Sequence, residues 1–342
     1  MKQALILLGV ILLLVVQSII GCTAPSPTSP APTAPTTQPP AEVIKFKGVT
    51  CLPKNLFAMQ GMNYLAEQLP TRTNGRLTIE HLGGPEVVPA IDLADSVRKG
   101  VVDIALTFTS FHEGFVPVGN IPSLSVLTPE QEEKSGAMAY MNELHEKAGM
   151  HLLWRGAGTS KSDSFHIVTK NKISSSAEIA KLKMGGATTL LSPYMKSVGS
   201  GVIVVPSPEA YTALERGVVD AFCWPLQNSV DMAFYEVSKY VIEPAFMAGN
   251  AYYIVNLQKW NSLPKDLQDT LLAVAKEQRL KYQELYDKQI IDAKEKYKAN
   301  GGEIVTLSDA DRFFKAVYDA SWAEEARRFP DVTPKLRALL EP

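Results

Sequence analysis

The chain has 342 residues, with 34 Lys or Arg against 36 Asp or Glu, for a formal charge of −2. That balance gives no electrostatic reason to bind nucleic acid or an anionic membrane, and 46% apolar with 20% charged residues excludes wholesale disorder. Three Cys exclude a disulfide-stapled scaffold, and the roughly 300 residues beyond the leader and linker are enough for two cores.

Lys2 supplies a positive start, and Ala4–Ile20 is an uncharged apolar run broken only by Gly9, Gln17 and Ser18. It ends Ile19-Ile20-Gly21-Cys22, which resembles a bacterial lipoprotein signal in which residues 1–21 are removed and Cys22 is acylated. An uncleaved transmembrane anchor is the other reading of the run. Both place the remainder outside the cytoplasm, in the periplasm or at the cell surface, tethered to a membrane. Residues 22–41 then form a tether. Thr23–Ala41 holds seven Pro in 19 residues and no charge, so it extends as polyproline II with a reach of roughly 60 Å at ~3.1 Å per residue.

Val43–Cys51 reads as a first strand, and Asn55 caps a helix carrying Phe57, Met59, Met62, Leu65, Ala66 and Leu69 that runs out at Pro70 to Gly75. Leu77–Leu82 is a second strand, Ala90–Lys99 a helix ended by Gly100, and Val101–Thr107 a third strand. This alternation predicts a parallel sheet covered by helices. Arg98-Lys-Gly100-Val-Val-Asp103 is echoed 117 residues later by Glu215-Arg-Gly217-Val-Val-Asp220, one helix-to-strand junction used twice. The echo suggests two lobes of similar build. Between the copies, strands are predicted at His166–Thr169, Leu182–Gly185 and Val202–Val205, and helices at Ser176–Ala180, Leu191–Val198 and Glu209–Arg216. Downstream, Ser262 and Pro264 start a helix that continues to Lys298 and stops at Asn300-Gly301-Gly302, roughly 50 Å at ~1.5 Å per residue. At that length it spans both lobes. The layout is a first lobe over 42–155, a second over 156–245, and a C-terminal part over 246–342 that completes both.

Catalytic spacing is missing. There is no Gly-x-Ser-x-Gly, His-Glu-x-x-His, phosphate loop or Cys-x-x-Cys. His81, His112, His145, His151 and His166 lack metal-ligand spacing, and Glu132-Glu133 and Glu324-Glu325 read as solvated faces. Cys51 and Cys223 could pair in an oxidising compartment or stay free.

Several segments together resemble a family. They are Thr71-x-x-Asn74-Gly75-Arg76-Leu77-x-Ile79, Gly83-Gly84, Lys99-Gly-Val-Val-Asp103, Glu178-Ile-Ala-Lys-Leu-Lys183, the run Pro208 to Asp220, Phe234-Tyr-Glu-Val-x-Lys-Tyr240 and Trp260-x-x-Leu-Pro264. In order and spacing the chain resembles the TRAP transporter substrate-binding proteins of the DctP type over residues 43–342. The resemblance implies an α/β, two-lobe, periplasmic-binding-protein-like fold, each lobe a mainly parallel sheet flanked by helices. It implies a receptor, not an enzyme, that closes on a small organic ligand and passes it to the small and large subunits of a membrane permease.

The departures from the family pattern bear on the ligand. Where the family carries a carboxylate-clamping Arg after the Leu-Lys-Ile strand, Leu182-Lys183-Met184 is followed by Gly185-Gly186. A second Arg is replaced by Ser160. Phe108 and Trp224 stand where sialic-acid-type members place Glu and Asn. Trp224 matches the 2-oxoacid-binding branch, but the cation-holding Glu before it is Cys223, so neither metal nor cofactor is expected. Two missing guanidinium groups, each charge-assisted bond worth roughly 1.5–3 kcal/mol, leave a small dicarboxylate without compensation for desolvation. Phe108, Phe111, Phe222 and Trp224 would offer stacking faces and Gly185-Gly186 room, although Phe111 and Phe222 also read as plain core. The expected solute is bulky, aromatic or cyclic, with at most one carboxylate, for which Lys161 or Arg155 could supply a cation. The expected contacts are Thr50, Cys51, Phe108, Thr109, Ser160, Gly185, Phe222 and Trp224. A sensory lipoprotein is the nearest alternative, and a tethered enzyme on the same scaffold a further one.

Overall fold

A computed structural model describes residues 43–53, 56, 59–156, 165–186, 191–247, 249 and 251–341. Cys22, the tether, Asn55, Phe57, Ser160 and Lys161 lie outside the described residues. The first lobe contains β1 (Ile44–Thr50), α1 (Gly61–Arg72), β2 (Leu77–Gly83), α2 (Ala90–Arg98), β3 (Ile104–Phe108), α3 (Pro129–Lys134), α4 (Ala137–Lys147) and β4 (Met150–Arg155). The second contains β5 (Phe165–Thr169), α5 (Ser176–Ile179), β6 (Met184–Gly186), α6 (Ser192–Ser197), β7 (Val202–Val204), α7 (Ala210–Glu215), β8 (Ala221–Pro225), α8 (Leu226–Asp231), α9 (Phe234–Val237) and β9 (Tyr240–Glu243). The chain then adds β10 (Ala251–Asn256), α10 (Leu257–Ser262), α11 (Lys265–Ala299), β11 (Glu303–Thr306), α12 (Ala310–Arg328) and α13 (Thr333–Leu340). None of the described helices is long and apolar enough to cross a membrane.

The first sheet has the order β2-β1-β3-β10-β4 and the second β11-β9-β5-β8-β6-β7. In the first, β10 runs antiparallel to both its neighbours and the other strands run together. In the second the reversed strand is β5. Each reversed strand is the one that enters from the other lobe. The carboxyl ends of all the other strands therefore face the edge where the chain crosses over, the place where open α/β sheets bind ligands.

The repeated junction is a repeat in three dimensions. The backbone N–H of Lys47 donates to Asp103 Oδ2 (2.7 Å) and Lys47 Nζ donates to the Val101 carbonyl (2.6 Å). In the second lobe the Lys183 N–H donates to Asp220 Oδ2 (3.0 Å) and Lys183 Nζ to the Gly217 carbonyl (2.9 Å). Gly100 and Gly217 both take φ of 73°, a left-handed turn that glycine enters at little cost. Strand order matches as well, since β2-β1-β3 next to β10 repeats as β7-β6-β8 next to β5.

Two predicted elements start well after the point the sequence suggests, and the helix among them ends within the predicted stop. Val101 and Val102 donate their N–H groups to the Ser96 carbonyl, so they finish the turn after α2 and β3 begins only at Ile104. The helix predicted from Asn55 is α1, which starts at Gly61 and continues through Pro70. Pro70 removes one helical bond close to the end, and Thr73 restores order there by donating both N–H and Oγ1 to the Leu69 carbonyl. The long helix α11 runs 35 residues between Pro264 and Asn300. Its Leu267, Leu271 and Val274 sit in the first-lobe core, and its Ile290, Ala293 and Tyr297 in the second. Likewise α12 gives Phe313 and Val317 to the second lobe and Trp322 to the first.

Candidate functional site

The strand ends at the crossover edge carry Thr50, Phe108, Arg155 and, one residue short of the end of β8, Trp224. Thr50 is buried and donates Oγ1 to the Leu52 carbonyl (2.8 Å). Phe108 is half-buried and meets Phe111 edge to face, centroids 5.9 Å apart. Thr109 is buried and donates Oγ1 to the Gly119 carbonyl (2.7 Å), so its hydroxyl closes the loop after β3.

In the second lobe Trp224 is half-buried, and its Nε1 is buried with no hydrogen-bond partner. His166 lies opposite Trp224 in the antiparallel pair, which puts both side chains on one face. His166 Nε2 is 3.4 Å and Lys294 Nζ 2.5 Å from Glu243 Oε1. Burial works to raise the Glu243 carboxyl, but the bonds from His166 and Lys294 prevail and hold it down at about 2.

Other expected contacts are packed away. Cys51 is fully buried in the first-lobe core, its thiol pushed up to about 12 by burial, and Cys223 is a free, buried thiol in the second. Phe222 is fully buried and packs edge to face on Phe234 (5.4 Å) and Trp224 (6.0 Å). A Cβ on Gly185 would lie 2.5 Å from Phe222 Cδ2. The glycine therefore makes room for that core ring.

Arg155 differs from its expected role too. It is wholly buried, donates Nη1 to Glu132 Oε1 (2.8 Å), and donates Nη2 to the carbonyls of Pro122 (3.2 Å) and Gly249 (3.4 Å). Neither it nor Glu132 is a solvated group. Glu325, also expected on a solvated face, is buried beside Arg328 and accepts the Asn120 N–H (3.3 Å). Arg328 pairs in turn with Glu113. The Arg155–Glu132 and Arg328–Glu113 pairs join segments far apart in the chain, and no local spacing announces them. Two surface hollows, one between residues 126–131 and α11 and one along β7, hold none of the expected contacts.

Burial raises the Glu325 carboxyl to about 7, with Arg328 opposing. A carboxyl raised in the folded state contributes stability that is complete below its unfolded value and is lost as pH rises through the folded one. The Glu325 contribution to the unfolding free energy should therefore fall between about pH 4.5 and 7, and the stability of Glu325→Gln relative to wild type should rise over that range. Urea unfolding across this range checks it, and an unchanged slope in the variant would place the titration elsewhere.

The model of the bacterial extracellular solute-binding protein family 7, DctP, matches residues 49–328, and the chain belongs to that family. A monocarboxylate 2-oxoacid-binding periplasmic protein of Nostoc is 24% identical over 280 residues, which cover 78% of this chain and 74% of that one. A TRAP periplasmic solute-binding protein of Desulfovibrio salexigens with bound orotic acid superimposes with a TM-score of 0.71 at 23% identity, covering 87% and 97% of the two chains. A Bordetella pertussis extracytoplasmic solute receptor binding pyroglutamic acid does so with 0.72 at 16%, covering 88% and 100%. The two-lobe fold and the class of receptor follow from these likenesses.

Proposed function

We propose that this chain is the lipid-anchored receptor of a TRAP-type transporter, and that it captures a cyclic or otherwise bulky monocarboxylate between its lobes. The observation that carries the reading is the indole of Trp224. The side chain is half-buried near the end of β8, and its N–H is buried with no acceptor, a donor that a solute oxygen would satisfy. Among the described residues the strands end on one arginine, Arg155, and Glu132 and two carbonyls hold it. A second carboxylate would find no guanidinium at those ends. Orotate, pyroglutamate and 2-oxoacids, named for the related proteins, each carry one carboxylate and agree with this chemistry.

Capture works by closure: a solute touching both lobes shifts the hinge equilibrium toward the closed form. The closed receptor docks on the two permease subunits, and the acylated Cys22 with its Pro-rich tether keeps it near them. Among the described residues nothing in the site arranges a nucleophile with a base, and turnover of the solute is not part of the reading. Native mass spectrometry of freshly purified protein tests it. One equivalent of a co-purified monocarboxylate is expected, and a C4-dicarboxylate released in its place would overturn the solute assignment.

A further inference from the structure

The loop Thr109–Asn120 leaves the end of β3 and is anchored to α4 through two histidines. His112 and His145 are both buried, their rings 5.2 Å apart and their Nε2 atoms 3.0 Å apart. His145 Nδ1 is 2.6 Å from the Met141 carbonyl. A carbonyl can only accept, so Nδ1 carries the proton and neutral His145 has a bare Nε2. That atom accepts from His112 Nε2–H, which leaves His112 Nδ1 bare, buried and without a hydrogen-bond partner.

The proton count makes this arrangement one-sided. A proton added to His112 must sit on Nδ1. A proton added to His145 Nε2 forces His112 to accept there and to move its own hydrogen to Nδ1. Either route ends with a buried cation and an N–H on His112 Nδ1 that has no acceptor, the expensive form of an unmade bond. The backbone of His112 is woven into the same loop, since its carbonyl accepts the N–H groups of Phe115 and Val116 and its N–H donates to Thr109. Expelling the imidazole therefore disturbs the whole turn.

We propose that the His112–His145 pair is an acid-released latch, holding the loop Thr109–Asn120 in place while both rings are neutral and freeing it when the pair takes up a proton. Burial lowers His145 to about 4, with the Met141 carbonyl opposing and His151 adding to the fall; burial and then His145 lower His112 well below its usual value. A histidine lowered in the folded state costs stability as pH drops below its unfolded value, and the loss is complete near the folded one. Among the neighbouring charges, Arg98 of α2 lies over the ring of Phe115 in the loop, 5.0 Å from its centroid. His151 of β4 turns Nδ1 to Glu146 (2.9 Å), Glu113 pairs with Arg328 of α12, and Glu325 of α12 accepts from Asn120 at the far end of the loop.

The consequence for transport, release of solute in acid, rests on the reading that this loop walls the cleft; the latch itself does not. The test therefore uses the solute-free protein. Hydrogen–deuterium exchange, corrected for intrinsic rates, should show protection of the loop amides falling tenfold or more between about pH 7 and about pH 4.5, with β1 unchanged. The double variant His112→Leu with His145→Leu should lose this acid response. NMR titration of the wild-type rings needs no variant and should find both neutral down to about pH 5. Flat loop protection in the wild type, the same acid response in the double variant, or a ring titrating at its ordinary value would each overturn the latch. Failure of the cleft reading would show instead as solute binding indifferent to a freed loop, and would leave the latch standing.

Discussion

Glu132→Ala should lower the free energy of unfolding by about 3–5 kcal/mol, the range for breaking a buried ion pair from one side. Glu132 and Arg155 are both without exposed side-chain surface, 2.8 Å apart. Burial raises the Glu132 carboxyl, and Arg155 is the leading group that pulls it back toward ionisation. Arg279 of α11 is buried nearby and lowered to about 10, first by burial and then by Arg155. Glu130 supports Arg279 ahead of Glu132, so removing Glu132 strands Arg155 above all. Arg155 also holds the Pro122 and Gly249 carbonyls, so the damage should spread to the segment that re-enters the first lobe. Replacing both partners, Glu132→Leu with Arg155→Met, should recover part of the loss, because no buried charge is then stranded by its missing partner. Urea unfolding of the single and double variants measures this. A single-variant loss under about 1 kcal/mol would mean that water reaches the pair.

The legible parts of the sequence were those whose physics is local. A glycine able to take positive φ after a basic helix end marked both copies of the junction, and the lysine–aspartate pairing beneath it turned an echo of a few residues into matching halves of two sheets. The 35-residue helix could be read from Pro264 and the Asn300-Gly301-Gly302 stop. What could not be read depends on residues brought together from a distance. Glu132 and Glu325 look like solvated charges in sequence and become buried because Arg155 of β4 and the backbone of Asn120 arrive from other elements. The close approach of Phe222 to Gly185 is another such contact. His112 and His145 are 33 positions apart, too far for any ligand motif to pair them. The reversed strands β5 and β10 also follow from chain crossing, which no periodicity records.

Trp224→Ala should weaken capture of the co-purified solute by about 30- to 1,000-fold, or roughly 2–4 kcal/mol, the size of loss seen when a buried aromatic anchor is truncated. The half-buried indole supplies a ring and a buried donor together, so the variant loses stacking area and a hydrogen bond in one step. Phe111→Ala should cost less, since Phe111 contributes a ring and no donor to its edge contact with Phe108. Trp224→Phe separates the two components: it keeps a ring and deletes the N–H, and should sit between wild type and alanine. Calorimetric titration of protein stripped of its solute reads all three. The core is not expected to fail in these variants, because Phe222 and Phe234 pack beneath Trp224 without it. If Trp224→Ala binds as the wild type does, the solute contacts other strand ends, and the orphaned indole N–H has a different partner.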